Sequence, residues 1–329
     1  MTTRSDTQTR IAIEHAPPSE RRRLGLLALF AAIYTYALIV FGGIVRITGS
    51  GMGCGDDWPR CNGQWIPEFT LETLIEYTHR LLAAGIGLVV LAVFAYGLLH
   101  RRKPGFSGPG GVLRPLALGA VLLVLQIALG AITVRLELPT EVTVAHFVTA
   151  LLFMATLVIA AVRSGILGET SAHRVDARAA RTAARVATVA AGLGLLLVAL
   201  GAVTANTPGA PQACQGFPLC NGQLMPRASA AGVHIHWTHR IVAYILALHV
   251  LGATFATYRR DAARAVRRAA AATTVLVLAQ IGVAAALVLA FLPRSLQALH
   301  LAVGAAIWFA LVVWAALARA SARTASGNA

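Results

Sequence analysis

Charged side chains are scarce in this chain of 329 residues: they make up 12% of it, whereas hydrophobic residues make up 57%. A soluble domain usually has about 25% charged and about 45–50% apolar residues. This shortage therefore excludes an ordinary cytosolic globule, a disordered chain and a nucleic-acid-binding arm. Lysine is almost missing, since Lys103 is the only one among 28 basic residues. With 13 acids the net charge is +15, and its placement decides what it means.

Two kinds of motif are also missing. The four cysteines include no Cys-x-x-Cys pair of the thioredoxin type. The glycine-rich segment Gly49-Ser-Gly-Met-Gly53 lacks the Gly-Lys-Ser/Thr ending of a phosphate-binding loop. The sequence therefore gives no support for binding of nucleotides or nucleic acids.

Long apolar runs are what the chain does have. A membrane span needs roughly 20 mostly apolar residues to cross a hydrocarbon core of about 30 Å. The first such run is too long for the apolar region of a signal peptide and has no small-residue cleavage site after it, so we expect it to stay in the protein. Eight stretches qualify as spans: Leu24–Val45, Glu72–Leu99, Leu113–Val134, Glu141–Val162, Ala183–Thr204, His234–Thr257, Arg268–Ala290 and Ser295–Ala318.

The basic residues lie on one side of these spans. If the N-terminus is cytoplasmic, the cytoplasmic segments with their span edges hold 21 of the 28 basic and 6 of the 13 acidic residues. The opposite side holds 7 of each, so the whole net charge of +15 is cytoplasmic. This is the positive-inside pattern. It predicts a multi-pass protein of the plasma membrane with both termini in the cytoplasm.

The chain also contains an internal repeat. The segment from Gly43 through Cys61-Asn-Gly-Gln to Thr78-His-Arg80 recurs from Gly201 through Cys220-Asn-Gly-Gln to Thr238-His-Arg240. Further on, Gln126 precedes His146 by 20 residues, as Gln280 precedes His300. Each copy holds four spans and starts on the same side, which is typical of a parallel repeat. We therefore expect an all-α polytopic membrane protein whose eight helices form two pseudo-symmetric four-helix bundles. The predicted parts are a cytoplasmic tail (1–23), an N-terminal bundle (24–162), a cytoplasmic linker (163–182), a C-terminal bundle (183–318) and a cytoplasmic tail (319–329).

Four of the ten histidines carry the predicted chemistry. His79 and His146 lie near the outer ends of spans two and four, and His239 and His300 repeat this arrangement in spans six and eight. Ionisable residues inside spans are costly and usually functional. Two imidazoles underfill a zinc site, but they suit the two axial positions of a heme iron buried in a four-helix bundle. Each bundle is therefore predicted to bind iron through a heme, near the extracytoplasmic side.

Residues around the histidines suggest further roles. Arg80 and Arg240 directly follow a predicted ligand and are candidates for pairing with heme propionates. All four cysteines fall in the two long outer loops, where an oxidising environment permits the disulfides Cys54–Cys61 and Cys214–Cys220. These pairs are either structural or redox-active, because labile disulfides are exposed or strained ones.

Glu76 breaks the symmetry of the repeat. It lies one helical turn before His79 on the same face, and the corresponding residue of the second half is His236. A carboxylate beside a heme edge can act as a base or stabilise positive charge. The alternative is an interfacial ion pair with Arg80 at the i+4 position. We interpret Glu76 as catalytic, because its counterpart is not acidic and heme ligation needs no such group.

Taken together, these residues resemble the heme A synthase family. The resemblance rests on Glu76-Tyr-Thr-His79-Arg80, on the loop ending Pro59-Arg-Cys-Asn-Gly63, on His146 and His300, and on the eight spans. It covers nearly the whole chain outside the first 20 residues and the C-terminal tail. It is closest to the bacterial class with cysteine pairs in both outer loops, which implies a bacterial plasma membrane.

The resemblance implies an oxidoreductase that converts the porphyrin methyl group of heme O to a formyl group. The product, heme A, serves the terminal cytochrome oxidase. His79 and His146 would flank heme O, the substrate, and His239 and His300 would ligate heme b, a cofactor. Glu76 would be the catalytic residue, acting in successive hydroxylations with oxygen from water. Implied partners are membrane lipid and, by analogy, heme O synthase and oxidase assembly factors; an oligomer is compatible with this interpretation.

Two other functions stay open on the sequence alone. A bis-histidine diheme cytochrome b that transfers electrons needs both hemes but neither Glu76 nor the asymmetry. A heme transporter is suggested by the duplication, yet broken-helix transporters have interrupted spans near the midplane. Here the prolines fall mainly in loops or at span ends: Pro59, Pro67, Pro139, Pro208, Pro211, Pro218 and Pro293.

Overall fold

The computed structural model describes residues 19–168, 176–227, 230–260 and 262–327, and this part of the chain folds into eight long helices. All eight are long and apolar enough to cross a membrane, so the protein is an all-α polytopic membrane protein, as predicted. A short 3-10 turn, Ser50–Met52, follows the first helix. The helices are α1 (Ser19–Thr48), α2 (Leu71–Leu99), α3 (Leu113–Arg135), α4 (Thr140–Arg163), α5 (Ala177–Asn206), α6 (Ala231–Arg259), α7 (Arg264–Leu289) and α8 (Arg294–Ala325).

Local sequence determines where several helices begin. The Thr70 hydroxyl accepts a hydrogen bond from the Thr73 amide and caps α2, and the Asp176 carboxylate caps α5 through the Ala179 amide. Such caps satisfy amides that have no partner inside the helix. Proline precedes α4 and α8, at Pro139 and Pro293.

The eight helices form two groups of four, and within each group every helix contacts two neighbours. Within the first half, α1 contacts α2 and α4, and α3 contacts α2 and α4. The second half repeats this arrangement, with α5 against α6 and α8, and α7 against the same two helices. The halves meet through α4 and α8, with further contacts from α1 to α8 and from α4 to α5. Each half is therefore a four-helix bundle, and α4 and α8 lie at the centre.

The interface between the bundles is apolar with a few polar contacts. The Trp308 indole nitrogen on α8 donates to the Leu151 carbonyl on α4 over 2.9 Å, and Trp308 is 5% exposed. The Tyr36 hydroxyl on α1 donates to the Ala302 carbonyl on α8 over 3.1 Å. Buried residues of α1, α2, α3 and α4 form one core cluster and those of α5, α6, α7 and α8 a second, each reaching across this interface.

The outward faces of the peripheral helices carry large apolar side chains. On α2 and α6, Leu88 and Leu248 are 70% and 71% exposed, and α3 and α7 present Val124 and Val275 in the same way. A soluble protein rarely exposes so much contiguous apolar surface. These faces fit contact with lipid.

The helices extend beyond the predicted spans, mostly at the ends that the charge pattern assigns to the cytoplasm. α5 begins at Ala177 and α8 continues to Ala325, so parts of the predicted linker (163–182) and C-terminal tail are helical. A hydropathy pattern detects only the apolar stretch that fits the hydrocarbon core, whereas these extra turns carry arginines. The first 18 residues and residues 169–175 of the linker lie outside the described residues.

Candidate functional site

The two outer loops fold alike, which gives both bundles the same kind of cover. In each, the motif Cys-Asn-Gly-Gln makes a tight turn in which the cysteine and glutamine exchange two backbone hydrogen bonds. The Asn and Gly of both turns have positive φ, at 51° and 77° for Asn62 and Gly63 and 53° and 74° for Asn221 and Gly222. Asn-Gly favours this turn, because both central residues must adopt left-handed backbone conformations.

A disulfide closes each loop. Cys54 is bonded to Cys61 and Cys214 to Cys220, with Cα atoms 4.4 and 4.7 Å apart. The predicted pairing is therefore confirmed. All four cysteines are at most 2% exposed, so the bridges lie inside the loops rather than on their surface.

One arginine per bundle fastens the loop to the helix below it. Arg80 Nη1 on α2 donates to the carbonyls of Asp57 and Arg60 over 2.8 and 2.7 Å. In the second bundle, Arg240 on α6 donates to the carbonyls of Gly216, Leu219 and Cys214, over 2.9, 2.8 and 2.7 Å. We call these two arrangements the arginine clamps.

The clamps limit the predicted contact of these arginines with propionates. Arg80 also donates from Nε and Nη2 to the Glu76 carboxylate, over 3.1 and 2.6 Å. A guanidinium has five N–H groups, so at most one of Arg80 and two of Arg240 are left for a propionate. The sequence reveals the arginines but not that loop carbonyls engage them.

Glu76 joins the first clamp. It is 3% exposed, and its Oε2 accepts a hydrogen bond from the Cys54 amide over 2.8 Å while Oε1 pairs with Arg80. The ion pair that the sequence offers as an alternative role is therefore present, and it is buried rather than interfacial. At the matching place in the second bundle, His236 Nδ1 contacts the Ala210 carbonyl over 3.1 Å, and no carboxylate takes part.

The predicted ligands of the second bundle lie close to each other. In the second bundle the His239 and His300 rings have centroids 6.5 Å apart and planes at 70°. Two metal–nitrogen bonds of about 2 Å each and two ring radii of about 1 Å would separate the centroids of opposed imidazoles by about 6 Å. In the first bundle Phe41 stacks on His79 at 6.2 Å.

Glycines bring two of these rings close to a neighbouring helix. His79 Cε1 lies 3.1 Å from the point where a Cβ atom would stand on Gly42, and His239 Cε1 lies 3.0 Å from the same point on Gly201. The predicted alignment of Gly43 with Gly201 is therefore one residue out of register at this place. In the structure Gly42 is the counterpart of Gly201, while Gly43 meets the side chain of Leu301.

Ring nitrogens without partners support a heme between each pair. Among the described residues, the Nδ1 atoms of His79, His146 and His239 are buried and have no hydrogen-bond partner. Buried polar atoms are normally satisfied, so these atoms indicate a missing ligand or a change of ring position. No group of three or more His, Cys, Asp or Glu in the described ranges could hold a bare metal ion. The donor set thus fits a macrocycle that supplies its own equatorial nitrogens.

Other polar residues near the pairs were not assigned a role from the sequence. Gln126 contacts His146, and Gln280 contacts His300, through their amide nitrogens at 3.1 and 3.2 Å. The identical spacing of 20 residues between glutamine and histidine in both halves is the sequence signal that points to these contacts. His249 contacts the Val186 carbonyl at 2.9 Å, as expected for a histidine that serves only to hold helices together.

Comparison with known proteins decides the family. Residues 25–312 match the family model described as cytochrome oxidase assembly protein. The heme A synthase of Symbiobacterium thermophilum is 31% identical over 274 residues, which are 82% of this chain and 87% of that protein. This chain belongs to the heme A synthase family. Its similarity to the Alkalihalophilus pseudofirmus heme A synthase is 30% identity over 234 residues (70% and 75% of the two chains), and to that of an Exiguobacterium species 26% over 272 residues (82% and 84%).

Membership of the heme A synthase family agrees with the geometry just described. The match spans both bundles, so the duplicated imidazole pairs and both disulfide-closed loops lie inside the family region. The resemblance inferred from the residues is thereby confirmed.

Proposed function

We propose that this chain oxidises the porphyrin methyl group of heme O to a formyl group and so makes heme A. The observation that supports the proposal is one difference between two otherwise similar bundles. Both bundles contain a pair of part-buried imidazoles, but among the described residues only the first bundle adds a buried carboxylate, Glu76. The similar proteins named heme A synthase point to the same reaction. The first bundle is then the substrate site.

The reaction needs a group that stabilises the positive charge that develops near the reacting carbon. Converting a methyl to a formyl group takes two rounds, each of which removes two electrons and two protons and adds an oxygen atom from water. The second round gives a gem-diol, which loses water to form the aldehyde. Four electrons leave in total, to an acceptor outside the chain. A fixed anion near the reacting carbon would stabilise the electron-poor state and could accept a proton.

Glu76 is suited to that role because its carboxylate is held in one place. The Arg80 guanidinium and the Cys54 amide both donate to it, and such charge-assisted hydrogen bonds are among the strong ones. It lies one turn before His79 on the same face of α2. We infer that His79 and His146 hold the iron of heme O while Glu76 stabilises charge on the macrocycle.

The second bundle would hold a resident heme b between His239 and His300. When bound, this cofactor supplies one-electron transfer, which the substrate bundle needs in order to lose electrons. His236 in place of a carboxylate leaves this bundle without a buried anion at the Glu76 position. We propose that both sites lie toward the extracytoplasmic side, beneath the two clamped loops, where water has access. Contacts with heme O synthase and with oxidase assembly factors belong to this proposal.

Porphyrin analysis of the purified protein tests the function. Cells that make heme O and carry this chain should yield a formyl-bearing porphyrin by pyridine-hemochrome spectroscopy and mass analysis. Glu76→Ala should abolish that product while both hemes stay bound. Glu72→Ala is the matched control, because Glu72 is an exposed acid one turn earlier on the same helix. Two bound hemes without any formyl product from the wild-type chain would instead support a diheme electron-transfer cytochrome.

A further inference from the structure

The two bundles hold one imidazole of each pair differently. In the first, the amide nitrogen of Gln126 contacts Nε2 of His146 at 3.1 Å. In the second, the amide nitrogen of Gln280 contacts Nδ1 of His300 at 3.2 Å and also donates to the His300 carbonyl over 2.8 Å. The other imidazoles, His79 and His239, pack alike against glycines. The asymmetry is therefore confined to the ligands on α4 and α8.

The bundles also differ at two pairs of equivalent positions. At one pair the first bundle has glycine and the second alanine, and at the other pair the reverse holds. His146 Cε1 lies 3.1 Å, and Nδ1 3.7 Å, from the point where a Cβ atom would stand on Gly130. The residue 154 positions later, at the spacing of the two glutamines, is Ala284. Conversely, Gln280 Nε2 lies 3.4 Å from the corresponding point on Gly304, whose counterpart is Ala150. The first bundle thus leaves room for the imidazole, and the second leaves room for the glutamine.

The ring of His146 consequently turns toward α3. Its Nε2 is held by Gln126, and its Cε1 and Nδ1 face Gly130, so the whole N–C–N edge lies against that helix. A neutral imidazole that accepts a hydrogen bond at Nε2 carries its proton on Nδ1. That Nδ1 atom and Gln126 Oε1 both lack a partner among the described residues. One rotation of the ring could join them and free the Nε2 lone pair.

We propose that His146 is the exchangeable iron ligand of the substrate site. When it does not bind iron, its ring lies against Gln126 and Gly130. This rests on the proposed function, since it explains how one bundle can take up heme O and release heme A. On ligation the hydrogen bond from Gln126 to the Nε2 lone pair breaks, and the iron accepts that lone pair. Nδ1 keeps its proton, so no electron or proton leaves. His300 is held on its Nδ1 side, as a permanent ligand with an outer-sphere partner is.

Heme release measures the difference directly. The full-length chain in nanodiscs would be loaded with iron protoporphyrin IX and mixed with excess apomyoglobin. We expect a fast and a slow phase of heme transfer. Loss of the fast phase in His79→Ala assigns it to the first bundle, and loss of the slow phase in His239→Ala assigns it to the second. A Cβ at residue 130 pushes the ring off α3, so Gly130→Ala should slow the fast phase about tenfold, since changes in one site act mostly on dissociation. Ala284→Gly should accelerate the slow phase.

Control variants and a spectrum complete the test. Gly87→Ala and Gly282→Ala add a methyl group where nothing lies within 4 Å and should leave both phases unchanged. Gln126→Ala removes the group that stores the ring, so it should raise the six-coordinate, low-spin fraction of first-site heme in electron paramagnetic resonance. A merely structural glutamine would not produce that shift.

Definite results would overturn the proposal. These are a single release rate for both sites, a fast phase in Gly130→Ala within twofold of the wild type, or an unchanged slow phase in Ala284→Gly. If Gly130→Ala does not fold, Ala284→Gly decides alone. Because transfer of protoporphyrin needs no turnover, a chain that makes no heme A but shows the expected phases would refute only the proposed function.

Discussion

Replacing Glu76 with glutamine separates its contacts with the first outer loop from the catalytic role that we propose for it. The carboxylate accepts three hydrogen bonds, from the Cys54 amide over 2.8 Å and from Arg80 Nε and Nη2 over 3.1 and 2.6 Å. Glutamine has nearly the same shape but only one acceptor oxygen, so it can keep either the Cys54 bond or the two Arg80 bonds. It loses the negative charge and turns its amide N–H groups toward the other donor. The first outer loop therefore loses part of its attachment to α2.

The size of the loss follows from the burial of the pair. Glu76 is 3% exposed, and hydrogen bonds to charged groups contribute about 1.5–3 kcal/mol each, against about 1 kcal/mol for neutral ones. We expect the first loop to open more easily by about 2–3 kcal/mol, which is roughly a 30- to 150-fold larger open population. The loop should not detach, because Arg240 fastens the second loop through three carbonyls with no acid at all.

Hydrogen–deuterium exchange read by mass spectrometry measures this opening. Peptides covering residues 51–64 should exchange faster in Glu76→Gln, whereas peptides covering residues 213–223 serve as an internal control and should not change. Unchanged protection of the first loop would refute the reasoning that the carboxylate holds it. Heme A output measured on the same preparations shows separately whether the charge is needed for the reaction.

The other predictions address the second bundle, the bundle interface and the topology. His239→Ala should remove the resident bis-imidazole heme spectrum, and retention of that spectrum would show that the ligand assignment is wrong. Exchanging Cys214 and Cys220 together for serine should loosen the second loop by about 2 kcal/mol in the chain-entropy estimate for so short a loop, seen as faster amide exchange; lost heme A output with unchanged exchange would point to a redox role instead. Trp308→Phe should lower the free energy of unfolding by about 1 kcal/mol, because the bond to the Leu151 carbonyl is lost; an unchanged denaturation midpoint would contradict this. Alkaline phosphatase inserted at Gly209 should be active and at Gly108 inactive, and the reverse pattern would invert the predicted topology.

The helices and their pairing follow from patterns that the sequence shows openly. Apolar runs of sufficient length predict all eight spans. The repeat predicts that the two halves share one arrangement. In both halves, four helices do contact one another in a closed cycle. Two cysteines close together in each long outer loop predict the disulfides, because the few residues between them keep their Cα atoms within bonding reach. These features depend on local sequence and on the bilayer, so no long-range contact is needed to find them.

The arrangement of the site depends on contacts that sequence spacing does not specify. Arg80 could pair with a propionate, a loop carbonyl or an acid, and only the folded loop brings the carbonyls of Asp57 and Arg60 to it. The one-residue register error at Gly43 has a similar origin. Glycines next to each other look equivalent in sequence, and the structure distinguishes Gly42, which meets His79, from Gly43, which meets Leu301.

Duplication and divergence together would explain how one fold holds the two hemes that we propose, which have opposite requirements. A resident cofactor needs ligands that stay fixed, whereas a substrate must enter and its product must leave. Rebuilding a whole bundle is unnecessary for this, because a ligand's mobility depends on a few atoms around its ring. One methyl group moved from α4 in the first half to α7 in the second, at Ala150 and Ala284, changes which side chain gains space beside the imidazole. Together with His236 at the position of Glu76, this difference would account for the proposed division of labour, which the common helical arrangement does not by itself provide.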